Sequence, residues 1–114
     1  MMNIESVREY CLTKKGTNES FPFDDDTLVF KVGGKIFACI LLINPDRLIL
    51  KCDTEFAVEL REKYLFIEPA WHFNKKYWNQ INLLSATDSL ICDLIDHSYD
   101  EVVKKLPKKI KTLL

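Results

Sequence analysis

Residues 69–79, Pro-Ala-Trp-His-Phe-Asn-Lys-Lys-Tyr-Trp-Asn, hold the densest chemistry in this 114-residue chain. Trp71, Phe73, Tyr77 and Trp78 offer aromatic faces, Lys75 and Lys76 offer charge, and His72, Asn74 and Asn79 offer hydrogen bonds. Aromatic faces stack on nucleobases while ammonium groups neutralise phosphates, so the grouping suits nucleic acid. It suits a protein-binding hot spot equally well. A tryptophan here also has a packing role open to it, with the lysines merely decorating a turn.

Patterns that would carry catalysis are missing. Of the three glycines, Gly16 follows a helix-like segment and Gly33-Gly34 divides two strand-like ones, so no phosphate-cradling loop exists. No G-x-S-x-G elbow occurs. His72 and His97 are the only histidines, and they are too separated to form a metal motif. Asp24-Asp25-Asp26 lacks the glycine-bearing layout of a calcium loop and reads as a solvated turn. Cys11, Cys39, Cys52 and Cys92 form no C-x-x-C pair and read as reduced, buried, small hydrophobes. The expectation is a non-enzymatic domain with no metal and no cofactor.

Charge is unevenly spread. The net value is −1, yet residues 1–103 sum to −6, while Lys104, Lys105, Lys108, Lys109 and Lys111 give the last eleven residues +5. Such a terminal cluster suits an anionic partner, and it equally complements the dipole of a terminal helix.

Length and a 47% hydrophobic fraction fit one domain, residues 1–114, with a core that needs no staples. The longest apolar run, Ile36–Ile43, is far too short to span a bilayer, and the first residues carry charge at once. The expectation is a soluble cytoplasmic protein without membrane contact.

The elements that must position these residues follow from periodicity. Asn3 caps a helix over residues 4–15, with Ile4, Val7 and Cys11 on one face and Gly16 ending it. Residues 17–26 read as a turn-rich connection. Thr27–Val32 and Lys35–Ile43 then form a hairpin across Gly33-Gly34, a two-residue turn with positive φ at both positions. Strict alternation from that turn puts Leu28, Phe30, Val32, Phe37, Cys39 and Leu41 in the core. It leaves Thr27, Val29, Lys31, Ile36, Ala38 and Ile40 outside. Arg47–Cys52 is a third strand with Arg47, Ile49 and Lys51 on that outer, semi-apolar face. Asp53 caps a second helix, residues 65–73 form an edge strand limited by Pro69, and Trp78–Leu84 forms a fifth. From Asp88 the pattern is helical, with a capping pattern at Ser98-Tyr99-Asp100-Glu101 suggesting a restart and Pro107 a break. The fold class is α+β, in two layers of order α-β(3)-α-β(2)-α, helices packed on one face of an antiparallel sheet.

Five ordered stretches resemble the MmcQ/YjbR family across almost the whole chain. They are Asn3-Ile4-Glu5, Gly16 with Pro22-Phe23-Asp24, residues 30–37, residues 69–75 with Trp78-Asn79, and His97-Ser98-Tyr99 with Val102-Val103 and Leu106. Phe73 and Tyr77 depart from the pattern, where Met or Leu and His are expected. The resemblance implies the same α+β arrangement and a DNA-binding label resting on two β-hairpin wings. On this chain the wings are the turns at Gly33-Gly34 and Asn74-Lys75-Lys76. The contacts so implied are Lys31, Lys35, His72, Asn74, Lys75 and Trp78, to which Lys76 adds a further phosphate contact. Double-stranded DNA is then the expected partner. The alternative is a protein partner or self-association through Val29, Ile36, Ile40 and Ile49 on the outer face.

Overall fold

The computed structural model describes residues 2–44, 46–71 and 73–114. The first helix, α1 (Ile4–Leu12), starts where expected: Asn3 Oδ1 accepts from the Ser6 N–H and Ser6 Oγ from the Asn3 N–H. These two bonds satisfy donors that the first helical turn leaves free. Val7 and Cys11 point into the core.

The connection that follows contains a strand the alternation did not reveal. β1 (Thr17–Ser20) pairs antiparallel with β2 (Thr27–Val32). Its sequence, Thr-Asn-Glu-Ser, is polar, as an edge strand tolerates. Tertiary contacts hold it, since Arg8 on α1 grips Glu19 with two bonds of 2.7 and 2.6 Å. The remaining strands are β3 (Lys35–Leu41), β4 (Arg47–Lys51), β5 (Ile67–Pro69) and β6 (Trp78–Asn82). All described pairings are antiparallel, in the order β1-β2-β3-β4-β6-β5. Pro69 lies on the edge strand, as its missing N–H requires.

Strict alternation fails within the first hairpin. Val32 faces Lys35 and Lys31 faces Ile36, but Phe30 faces Ala38, so Phe37 has no partner on β2. This β-bulge turns both Phe37 and Ala38 into the main core and reverses the phase beyond them. Ile40 is therefore a core residue, while Cys39 and Leu41 belong to the opposite face. Uninterrupted apolar sequence from Ile36 to Leu41 had hidden the reversal, because either phase buries hydrophobic side chains.

A helix-derived hydroxyl accommodates the bulge. α3 (Asp88–Lys104) is continuous, and its Ser98 is fully buried rather than capping a new helix. Ser98 Oγ donates to the Phe37 carbonyl at 2.5 Å and accepts from the Lys51 N–H at 2.9 Å. The β3–β4 ladder ends at Ala38 and Leu50, so this hydroxyl joins the strands just past their last register pair. His97 likewise lies within α3, and its Nε2 accepts from the Asp53 N–H at the start of α2 (Thr54–Lys63).

Helices α1, α2 and α3 contribute to one core against the sheet, built around Phe30, Phe37, Ile40, Leu48, Ile81 and Ile91. Each such side chain contributes about 1.5–3 kcal/mol through burial. Pro107 ends α3 and opens a short α4 (Lys108–Lys111). Leu106 and Ile110 bear on the β2–β3 turn: a Cβ on Gly33 would come within 2.7 Å of Leu106 and 3.0 Å of Ile110. Both turn glycines have positive φ, +58° at Gly33 and +81° at Gly34. The first wing is thus docked at its tip, and among the described residues no helix is long and apolar enough to cross a membrane.

Candidate functional site

The outer sheet face is covered in part by the chain's own loops. Val29, Cys39, Ile49 and Ala70 are buried there, with Ile36, Leu41, Phe73 and Trp78 packed over them. Ala70 and Phe73 come from the β5–β6 connection, which folds back across the face. Asn74 shapes that loop: its Oδ1 accepts from the Lys76 N–H, and its carbonyl from the Tyr77 and Trp78 N–H groups. The interaction face of Val29, Ile36, Ile40 and Ile49 therefore needs correction. Ile40 lies in the main core, and Val29 and Ile49 are covered, leaving Ile36 partly accessible.

Two contiguous cavities flank this loop. One, of about 450 Å³, is lined by Lys31, Gly34 and Lys35 from the first hairpin, Lys51 from β4, Trp78 from β6, and Lys105 with Val102 and Leu106 from the end of α3. Four lysines thus contribute to the wall of a cleft in which, among the described residues, no carboxylate residue takes part. Glu101, the nearby acid, is bound to Lys104. Partial burial pushes the Lys51 ammonium below the ordinary lysine range, and repulsion from Lys105 and Lys35 adds to it against the pull of Glu101.

Tyr77 extends the arc. Lys51, Lys76 and Lys105 have Nζ atoms 6.0, 5.9 and 5.6 Å from its ring centroid, at the reach of cation–π attraction. Lys75 departs outward, with Nζ 4.2 Å from the ring of Trp71, itself 58% exposed. The expected contacts divide accordingly. Lys31, Lys35 and Trp78 meet in the cleft, Lys76 joins them through Tyr77, and Lys75 and Asn74 stay on the loop. His72 lies outside the described residues.

Lys51 and Lys105 belong to this cleft although the expected contact set omits them. Alternation does place Lys51 on the outer face, and Lys105 stands in the C-terminal lysine cluster. Joining them requires knowing that α3 ends beside the first hairpin, a tertiary fact.

The second cavity, of about 700 Å³, is lined by Phe23, Ile36, Leu41, Ile43, Phe73 and Trp78, with Asp24 and Asp26 on its wall. Hydrogen bonds from the Asp26 N–H and Thr27 hydroxyl hold the Asp24 carboxyl below the usual carboxylate range. Phe23, Ile36 and Trp78 line both cavities. Among the described residues no group of three His, Cys, Asp or Glu side chains stands ready to hold a metal. Burial pushes the thiols of Cys11, Cys39 and Cys52 up to about 12.

These features define an α+β domain whose helices cover one sheet face and whose other face carries a lysine-lined cleft. Residues 12–101 match the family model YjbR, and the chain belongs to that family. It is 33% identical over 115 residues to the uncharacterised protein YjbR of Escherichia coli (strain K12), covering 99% of this chain and 98% of that protein. The uncharacterised protein YbdF of Escherichia coli O157:H7 is 34% identical over 107 residues, covering 92% and 88%. Among solved structures, the Deinococcus radiodurans protein DR2400, with domain DUF419, superposes with a TM-score of 0.91 at 36% identity, covering 98% of this chain and 87% of that one. A Pseudomonas syringae protein, structural-genomics target PsR293, gives 0.75 at 28% identity, covering 88% and 98%.

Proposed function

We propose that this is a non-enzymatic binding domain of the cytoplasm whose partner is nucleic acid, DNA foremost, held between its two hairpins. One observation carries the reading: Lys31, Lys35, Lys51 and Lys105 converge beside Trp78 on a cleft whose wall, among the described residues, includes no carboxylate residue. Such an arrangement is electrostatically unfavourable until an anion enters, and Lys51, already short of its full ammonium stability, gains most. Phosphate oxygens supply that charge, and binding then releases counterions. The four free cysteines fit a reducing compartment.

The test is fluorescence anisotropy of labelled DNA, duplex and single-stranded, at several salt concentrations. Saturable binding should weaken with salt, with a log–log slope of roughly −3.6 to −4.5 on duplex, or roughly −2.8 to −3.5 on single strand, for four or five neutralised phosphates. The double variant Lys35→Ala/Lys105→Ala should flatten that slope by about 1.5 to 2. Absence of binding even at low salt rejects the reading.

A second reading rests on the apolar cavity, where Phe23 and Ile43 are 63% and 75% exposed. Exposed apolar side chains grouped in this way suit a protein partner or a second copy of the chain. Concentration-dependent sedimentation that Ile36→Asp abolishes supports self-association; a monomer at every concentration counts against it.

A further inference from the structure

We infer that the site takes an unpaired nucleotide of a single strand, base in the apolar cavity and phosphate in the lysine cleft. This rests on the nucleic-acid reading and goes further by naming the form of the ligand. The two cavities have opposite character and share Phe23, Ile36 and Trp78 as a common wall. One end is cationic, through Lys31, Lys35, Lys51 and Lys105. The other is apolar and aromatic, with the rings of Phe73 and Trp78 in tilted contact, 5.1 Å between centroids and 43° between planes. A ligand filling both must join a flat, weakly polar body to an anionic group, which is the chemistry of a nucleotide.

Charge fixes its direction. Asp24 and Asp26 repel phosphate from the apolar end and accept hydrogen bonds from exocyclic amines or sugar hydroxyls. In a duplex, base faces are stacked on their neighbours and cannot reach a walled cavity; an unpaired base can. Each cavity, about 700 and 450 Å³, is within the usual range for ligand pockets; the larger holds a base with room for its sugar, and the smaller takes the adjoining backbone phosphate. Stacking on Phe23 and Trp78 tolerates any base, so the preference is for strandedness rather than sequence.

The experiment compares a twelve-nucleotide single strand, the blunt duplex of the same sequence, and the mononucleotide, each titrated at one low salt concentration. The protein carries Trp71→Phe, so that the remaining tryptophan fluorescence reports from Trp78 in the site. The single strand should bind more tightly than either other probe and quench Trp78. Phe23→Ala, at an exposed position, should cut the single-strand preference over duplex by about tenfold, the size of one lost base–aromatic stack, and Ile43→Asp, also exposed, should lower it by setting a carboxylate in the apolar wall. Circular dichroism verifies that both variants fold. Duplex bound as tightly as single strand, with neither variant altering the ratio, overturns the inference and leaves the nucleic-acid reading standing. A mononucleotide bound as tightly as the strand overturns the strand assignment. No binding of any probe rejects inference and reading together.

Discussion

Replacing Ser98 by Ala removes one hydroxyl and strands two backbone groups. The Phe37 carbonyl loses its donor at 2.5 Å, and the Lys51 N–H loses its acceptor at 2.9 Å. Ser98 is fully buried in the face of α3 that meets the sheet, so water cannot readily substitute. A buried polar group left unpaired costs roughly 1–3 kcal/mol, and two such groups, partly relaxed by closure of the strand ends, cost about 3 kcal/mol. With a urea slope of about 1.5 kcal/mol per molar, the unfolding midpoint should fall by roughly 2 M at unchanged slope. Ser89→Ala, at an exposed position on the same helix, should stay within about 0.5 kcal/mol of the parent. Amide exchange gives the local reading: the Lys51 N–H should lose protection beyond the global destabilisation in Ser98→Ala. A midpoint shift under about 0.5 M, with Lys51 still protected, would refute the role given to this hydroxyl.

Gly34→Ala should cost about 1–2 kcal/mol through its left-handed backbone alone, since nothing lies within 4 Å of the added carbon. Gly33→Ala should cost about 1 kcal/mol more by overpacking, because the new carbon meets Leu106 and Ile110; equal losses in urea would show that the turn is not docked. Lys51→Met should raise the melting temperature of the free protein while weakening polyanion binding, because its ammonium is disfavoured until an anion arrives. The sign in pH agrees: with its folded pKa lowered, Lys51 makes the free parent more stable as pH rises through that value toward the ordinary lysine range, and Lys51→Met should lose this slope in thermal melts. Among the cysteines, Cys92 should react first with a thiol reagent near pH 8, while Cys11, Cys39 and Cys52 wait for unfolding; four equal rates would contradict the burial.

Local chemistry made much of the fold legible. Asn3 and Asp53 cap helices because each side-chain oxygen reaches a free N–H three residues on. Gly33-Gly34 announced the hairpin, and Pro69 the sheet edge. Features decided by tertiary contact stayed hidden. β1 has no apolar alternation and depends on pairing with β2 and on Arg8 for its place. Ser98-Tyr99-Asp100-Glu101 reads as a cap, yet Ile91, Leu94, Ile95, Ser98 and Val102 share one buried helical stripe, and burial of that stripe carries the helix through. The candidate site followed the same division. The aromatic-basic loop was visible as a run of residues, whereas the cleft draws lysines from the first hairpin, β4 and the end of α3, and no local spacing links them.

The docked tip of the first hairpin bears on how a ligand would be received. Leu106 and Ile110 hold the turn that separates Lys31 from Lys35, and Lys105 precedes Leu106 directly in the chain. The backbones carrying these three lysines are therefore parts of one packed unit. A polyanion arriving there meets a mould already set during folding, and only lysine side-chain rotamers remain to be ordered, at about 0.5–1.5 kcal/mol each. A free-standing wing would have to be stilled along its whole length at the moment of contact; here that loss of freedom belongs to folding.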